Sequence, residues 1–147
     1  MLTITTKTFK ELSIDELYAL LQLRSEIFVV EQNCVYQDID YKDQNALHVL
    51  GFKDSELVAY TRIFKPGDYF ELASIGRVLV KASARHLNFG YAIMEASIKA
   101  IEERYNETKI KISAQTYLKR FYNNLGFVEI GEGYLEDGIP HIGMLKS

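Results

Sequence analysis

The stretch "RVLVKASARHLNFGYAIMEASI", from Arg77 to Ile98, constrains the fold more than any other part of the chain. An apolar run reads as a strand, a short loop follows, and from about Asn88 to Tyr105 the pattern is that of a helix. Immediately afterwards "KIKISAQ" reads as a strand again. Strand, helix and strand in succession favour a partly parallel central sheet with helices packed on its faces.

The remaining segments extend this pattern. "LTITTKTF" alternates and is rich in threonine, as an opening strand would be. "SIDE" has the form of a capping box between Ser13 and Glu16. Behind it Leu17, Leu20, Leu21, Ile27 and Phe28 share one side of a helix, which should end within "FVVEQNC" at Asn33. "ALHVLGFK" and "ELVAYTRIF" flank "DS" and predict a hairpin, and "LASIGRVLV" follows the break at "KPGD". A short helix in "YLKRFYNNLG" ends at Gly126, and "FVEIGEGYLEDGIPHIGMLK" contains two strands joined by a turn. The expectation is an α/β fold, an α+β mixed sheet in a single domain spanning 1–147.

Composition excludes several functions. A net charge of −3 over 147 residues supplies no global basic field, so no nucleic-acid partner is expected. One cysteine, Cys34, rules out an intrachain disulfide and any multi-cysteine zinc site. A lone cysteine is usually a small buried hydrophobe. His48, His86 and His141 are scattered, and no metal is expected. No apolar run approaches the roughly 20 residues that span a bilayer, so no membrane partner is expected. The N-terminus does not look like a secretion signal, which makes a cytoplasmic location the expectation. Asp38, Asp40 and Asp43 lack the glycine and terminal glutamate of a calcium loop. They read as a solvated face or an attraction for cationic substrates.

The opening stretch can bind an anion. A helix start presents amides without intrahelical partners, together with the positive end of the peptide dipoles. Arg85 can pair with a phosphate while the amides from Leu87 to Tyr91 converge on another, and Gly90 lets a bulky ligand approach. The pattern is short and common. It equally describes a glycine that packs the helix on the sheet beside a solvated arginine. It is neither a nucleotide-triphosphate loop nor a dinucleotide fingerprint.

A second segment adds weight. "LKRFYNNLGF" resembles the C-terminal half of the GNAT superfamily of acetyl-CoA-dependent N-acetyltransferases, in which a helix with an F-Y pair runs into L-G-F. The opening stretch resembles the pyrophosphate loop of that superfamily, R-x-x-G-x-G/A after a V-x-V strand, with Asn88 standing at the first glycine. "FVVEQNCVYQDID" and "EDGIPHIGM" look most like its ElaA-like branch.

The resemblance implies a GNAT-like acyl-CoA N-acyltransferase fold in which two neighbouring strands splay around acetyl-CoA. Val78, Leu79 and Val80 would line the opening, and Arg85, His86, Leu87, Asn88, Phe89, Gly90 and Tyr91 would surround the pyrophosphate. Gln115 would contact the coenzyme arm. Tyr122 would be the general acid, and an amide on the strand holding Val78 the oxyanion donor. The proton acceptor stays open among Glu31, Glu71, His48, His141 and ordered water, because Ser74 stands where the family often keeps a carboxylate. The implied activity is direct transfer of an acetyl group to a primary amine of a small molecule or peptide. Asn88 and Ser74 keep a non-catalytic acyl-CoA-binding module as the alternative. The family also admits a homodimer, for which the apolar C-terminal strands offer a surface.

Overall fold

A computed structural model describes all residues from Met1 to Ser147. The strands are β1 (Thr3–Thr8), β2 (Leu47–Lys53), β3 (Glu56–Phe64), β4 (Ala73–Val80), β5 (Ile110–Gln115), β6 (Val128–Glu136) and β7 (Ile139–Lys146). The helices are α1 (Ile14–Arg24), α2 (Phe89–Tyr105) and α3 (Lys119–Asn124). All seven strands join one sheet in the order β1-β2-β3-β4-β5-β7-β6. Only β4 and β5 run parallel; the other neighbours are antiparallel. The expected mixed α/β fold is what forms, and no helix is long and apolar enough to cross a membrane.

The two sheet faces are covered by different helices. Ile93, Met94, Ala100 and Ile101 of α2 pack with Val49, Ile63, Ile75, Ile110 and Ile112 in one cluster. On the opposite face Leu20 and Leu23, with Ile27 and Phe28 beyond them, pack on Leu50, Tyr60 and Leu79. Val49 and Leu50, adjacent in β2, therefore serve opposite cores, as the alternation of a strand requires. β3 is buried from Leu57 to Phe64 because both of its faces are covered.

Local signals act where the sequence placed them. Ser13 Oγ accepts from the Glu16 amide at 3.0 Å, and Glu16 Oε1 accepts from the Ser13 amide at 2.8 Å. Asp54 and Ser55 both take positive φ, 51° and 69°, closing the β2–β3 hairpin with the twist that tight hairpins need. The first helix departs from expectation at Ser25. From there to Glu31 the turns widen to π geometry, with i to i−5 bonds such as Gln32 N–H to the Ile27 carbonyl.

The acidic loop is a larger correction. Asp38 and Asp43 are buried, only 6% and 5% exposed, so the run is not a solvated face. Arg24 donates through Nε to Asp38 Oδ2 at 2.9 Å and through Nη1 to Asp43 Oδ1 at 2.7 Å. Arg62 grips both oxygens of Asp40 at 2.8 Å and also reaches Asp43 Oδ1 at 2.9 Å. Burial alone would raise the Asp40 carboxyl, but the hydrogen bonds and charge of Arg62 outweigh it and hold it down to about 2. Asp43 is likewise lowered: the charge of Arg24, backed by hydrogen bonds from Arg24 and Arg62, prevails over burial.

Removing the shared partner should be costly. Asp43→Ala leaves two buried guanidinium groups short of a carboxylate, and we expect a loss on the order of 3 kcal/mol from urea unfolding midpoints. A loss under about 1 kcal/mol would mean the network is dispensable. The depressed carboxyls also set an acid limit. The stabilisation from Asp40 is complete above the unfolded value near pH 4 and is lost as pH falls toward about 2, and that from Asp43 is lost on the same acid side. Acid titration of circular dichroism should place the decline in that window and show a shallower one in Asp43→Ala.

Candidate active site

β4 and β5 pair at only two positions, Ala73 with Ile110 and Ser74 with Lys111. Beyond Ser74 the strands part, each still paired to its outer neighbour. The gap opens into a cavity of about 470 Å³ walled by both strands, the π-helical turn, the start of α2, α3 and the β6–β7 hairpin. Backbone groups on the facing edges have no strand to bond, and a ligand or water must satisfy them.

A β-bulge shapes the β4 side. Tyr60 pairs with Leu79 and Arg62 with Gly76, so Arg77 and Val78 together oppose Thr61. Arg77 takes φ 50° at this point, a left-handed conformation that costs a non-glycine residue about 1–2 kcal/mol. Its guanidinium reaches back to Asp38, with Nε 2.7 Å from Oδ1 and Nη2 donating to the Asp38 carbonyl at 3.0 Å.

The start of α2 forms the other end. Asn88 is its N-cap with φ 61° and ψ 23°, so it supplies the left-handed turn that a glycine would otherwise provide. Its side chain makes no capping bond, and the first turn carries no acidic residue. Among the long helices this contrasts with α1, whose N-terminus the chain caps reciprocally. An anion can therefore act as the missing cap, and these residues suit a coenzyme diphosphate. Arg85 stands beside this end, with Nε donating to the Val80 carbonyl at 3.0 Å and Nη1 2.6 Å from Glu31 Oε2.

Tyr122 lies on α3 and lines the same cavity while only 6% exposed. Burial, with Tyr117 adding to it, pushes its phenol well above the usual tyrosine value, so the hydroxyl stays protonated. Phe121 beside it packs on Tyr91 at 4.7 Å between ring centroids. His141 faces the cavity from β7, with Nδ1 2.7 Å from the Ile139 carbonyl. A carbonyl only accepts, so Nδ1 carries the hydrogen, and the neutral ring keeps its lone pair on Nε2. Nε2 lies 3.6 Å from Glu136 Oε2.

The cavity brings together Val78, Leu79, Val80, Arg85, Asn88, Gly90, Tyr91, Gln115, Tyr122, Glu31 and His141. It does not include the side chains of His86, Leu87 or Phe89. His86 and Leu87 are exposed, and Phe89 is buried against Val58 and Ala84 as the helical turns rotate it away. His48 is a structural residue rather than a base. Its Nε2–H bonds the Asp43 carbonyl at 2.9 Å, its Nδ1 accepts from Tyr60 at 2.6 Å, and burial lowers its pKa. Glu71 is exposed and outside the cavity wall. Cys34 is not a core residue: it is half-buried on the cavity wall, with Sγ donating to the Asp137 carbonyl at 3.2 Å.

Sequence reasoning missed Arg77, Tyr36 and Glu136, which also line the cavity. A charged residue beside the buried run "VLV" was the available signal for Arg77, and "LEDG" at a strand end for Glu136.

Comparison with known proteins fits this geometry. Residues 11–147 match the family profile described as an acetyltransferase (GNAT) domain. The ElaA protein of Escherichia coli is 46% identical over 139 residues, 93% of this chain and 91% of that protein. The ElaA crystal structure superposes with a TM-score of 0.93 at 43% identity over the whole of both chains. An acyl-CoA N-acyltransferase from Pseudomonas aeruginosa superposes with a TM-score of 0.94 at 42% identity, again over both whole chains. With its parted strands and open helix start, this chain belongs to the GNAT family of acetyltransferases, in the ElaA-like branch.

Proposed function

We propose that this enzyme moves an acetyl group from acetyl-CoA directly to a primary amine of a small molecule or peptide. The observation that carries the reading is that one cavity joins the uncapped start of α2 to the buried phenol of Tyr122 through the parted edges of β4 and β5. Unpaired strand backbone suits a pantetheine arm lying as an added strand, and the open helix start suits the diphosphate.

The chemistry follows from the side chains. The neutral amine nitrogen attacks the thioester carbonyl carbon, and the C–S bond breaks as the tetrahedral oxyanion collapses. We assign stabilisation of that oxyanion to a backbone amide on the strand that holds Val78. Tyr122 gives its proton to the departing thiolate. His141 Nε2 takes a proton from the amine, directly or through water, with Glu136 Oε2 3.6 Å away. Glu31 is already held by Arg85, so we assign it to the coenzyme end. In this reading Arg85 exchanges that carboxylate for a phosphate, and Asn88 and Gly90 form the loop around it.

Tyr122→Phe removes the donor while keeping the ring in its packing. We expect turnover with a reactive amine to fall about 10²-fold or more, with acetyl-CoA binding by calorimetry unchanged. Unchanged turnover would remove Tyr122 from the chemistry. Binding without turnover of any amine by the unmodified protein would favour a carrier role over catalysis.

Gly90→Glu places a carboxylate in the first turn of α2, where the diphosphate is to sit. Acetyl-CoA should no longer raise the melting temperature of this variant, although the variant itself still melts cooperatively. A full ligand-induced shift would put the diphosphate elsewhere.

A further inference from the structure

We propose that Arg77 is a positioning residue for acyl transfer, clamping the β4 bulge to the 35–45 loop so that both walls of the acceptor side hold one geometry. The role rests on the acyl-transfer reading above.

The first observation is where the strain falls. The left-handed position of such a bulge is normally taken by glycine. Gly76 is the residue just before, yet the positive φ belongs to Arg77. A strained arginine persists only where its surroundings over-determine it.

The surroundings are specific. The Arg77 side chain is 17% exposed and touches Asp38 at both its carboxylate and its carbonyl, with Asp40 Oδ2 at 3.5 Å. Its guanidinium lies over the Tyr36 ring, 5.7 Å from the centroid. Tyr36 in turn donates to Asp38 Oδ1 at 3.0 Å. Arg77 and Tyr36 both line the cavity, as do Gly76 and Val78 on either side of Arg77.

Arg77 is not the sole partner of either carboxylate. Asp38 keeps Arg24 at 2.9 Å, and Asp40 keeps a two-pronged partner in Arg62. The Nε of Arg77 is near Asp38 but poorly aligned for a hydrogen bond. Arg24 and Arg62 therefore suffice to anchor the loop to the core. What Arg77 alone supplies is a link between that loop and the backbone of the bulge, across the wall where the acceptor amine must approach. Small displacements there are expensive, since a shift of about 1 Å in a reacting group can cost about 10²-fold in rate.

Arg77→Gly separates the link from the strain. Glycine accepts φ 50° freely, which offsets part of the lost ion pair, so the variant should still melt cooperatively while the link is gone. We expect faster amide hydrogen exchange in residues 35–45 and 76–79, unchanged binding of coenzyme A, and kcat lowered about tenfold or more with a higher KM for the amine. Arg77→Lys keeps the charge without the planar fork and should move every readout in the same direction by less. Parental exchange and kcat in Arg77→Gly would overturn the proposal. So would losses of kcat and coenzyme binding in equal proportion, which mark a merely structural role. Should the parent protein turn over no amine at all, the acyl-transfer reading and a catalytic purpose for the clamp fail together. Faster exchange in the variant would then show that Arg77 only orders the wall.

Discussion

The parting of β4 from β5 after two paired residues is the constraint from which the site follows. A continuous ladder would consume the backbone groups beyond Ser74 and leave no cavity. Instead β4 stays with β3 and β5 with β7, so two unpaired edges face each other at the centre of the sheet. Unpaired edges are usually a liability in a folded chain. Here they are held inside the molecule, where a ligand that offers backbone-like groups can complete them. The antiparallel strands on both sides fix the outer edges and keep the gap from closing.

A second constraint lies behind the first. Three arginines and three aspartates are packed beside the cavity, and Arg24 is completely buried. Apolar residues of similar volume could stabilise this region as well, because desolvation offsets much of the ionic attraction. The charged version differs in being directional. Each guanidinium fork accepts a narrow range of loop positions, so a loop without regular structure from Cys34 to Lys42 has a defined path beside the bulge.

Much of this architecture was legible because short-range chemistry determined it. The hairpin turn at "DS", the capping box at "SIDE" and the glycine closing α3 are decided by residues within a few positions of one another. The nature of the acidic run was not legible. Asp38 and Asp40 look the same in sequence whether they meet water or an arginine, and their partners lie 14 to 39 residues away. The widened turn from Ser25 was also hidden, since over seven residues its apolar spacing differs too little from that of an α-helix. In the loop, sequence pointed to the segment but not to each side chain. His86, Leu87 and Phe89 sit within it and face away from the cavity. The Ser113, Tyr134 and Glu136 contacts beside His141 depend on the register of β5, β7 and β6, which no local pattern encodes.

Gly90 shows why a packing explanation and a functional one need not compete. A Cβ at this position would stand 3.3 Å from two atoms of the Phe121 ring, so the glycine lets α3 close on the first turn of α2. That contact brings Phe121 against Tyr91, and Asn124 Nδ2 donates to the Tyr91 hydroxyl at 3.0 Å. Tyr122 follows Phe121 in sequence, and its ring meets Phe121 edge-on at 5.0 Å. The close approach that Gly90 allows thus sets the distance between the helix start and the buried phenol. A larger side chain would press on the Phe121 ring beside Tyr122 as well as crowd the anion end. Both ends of the cavity thus meet at one tight contact between α2 and α3.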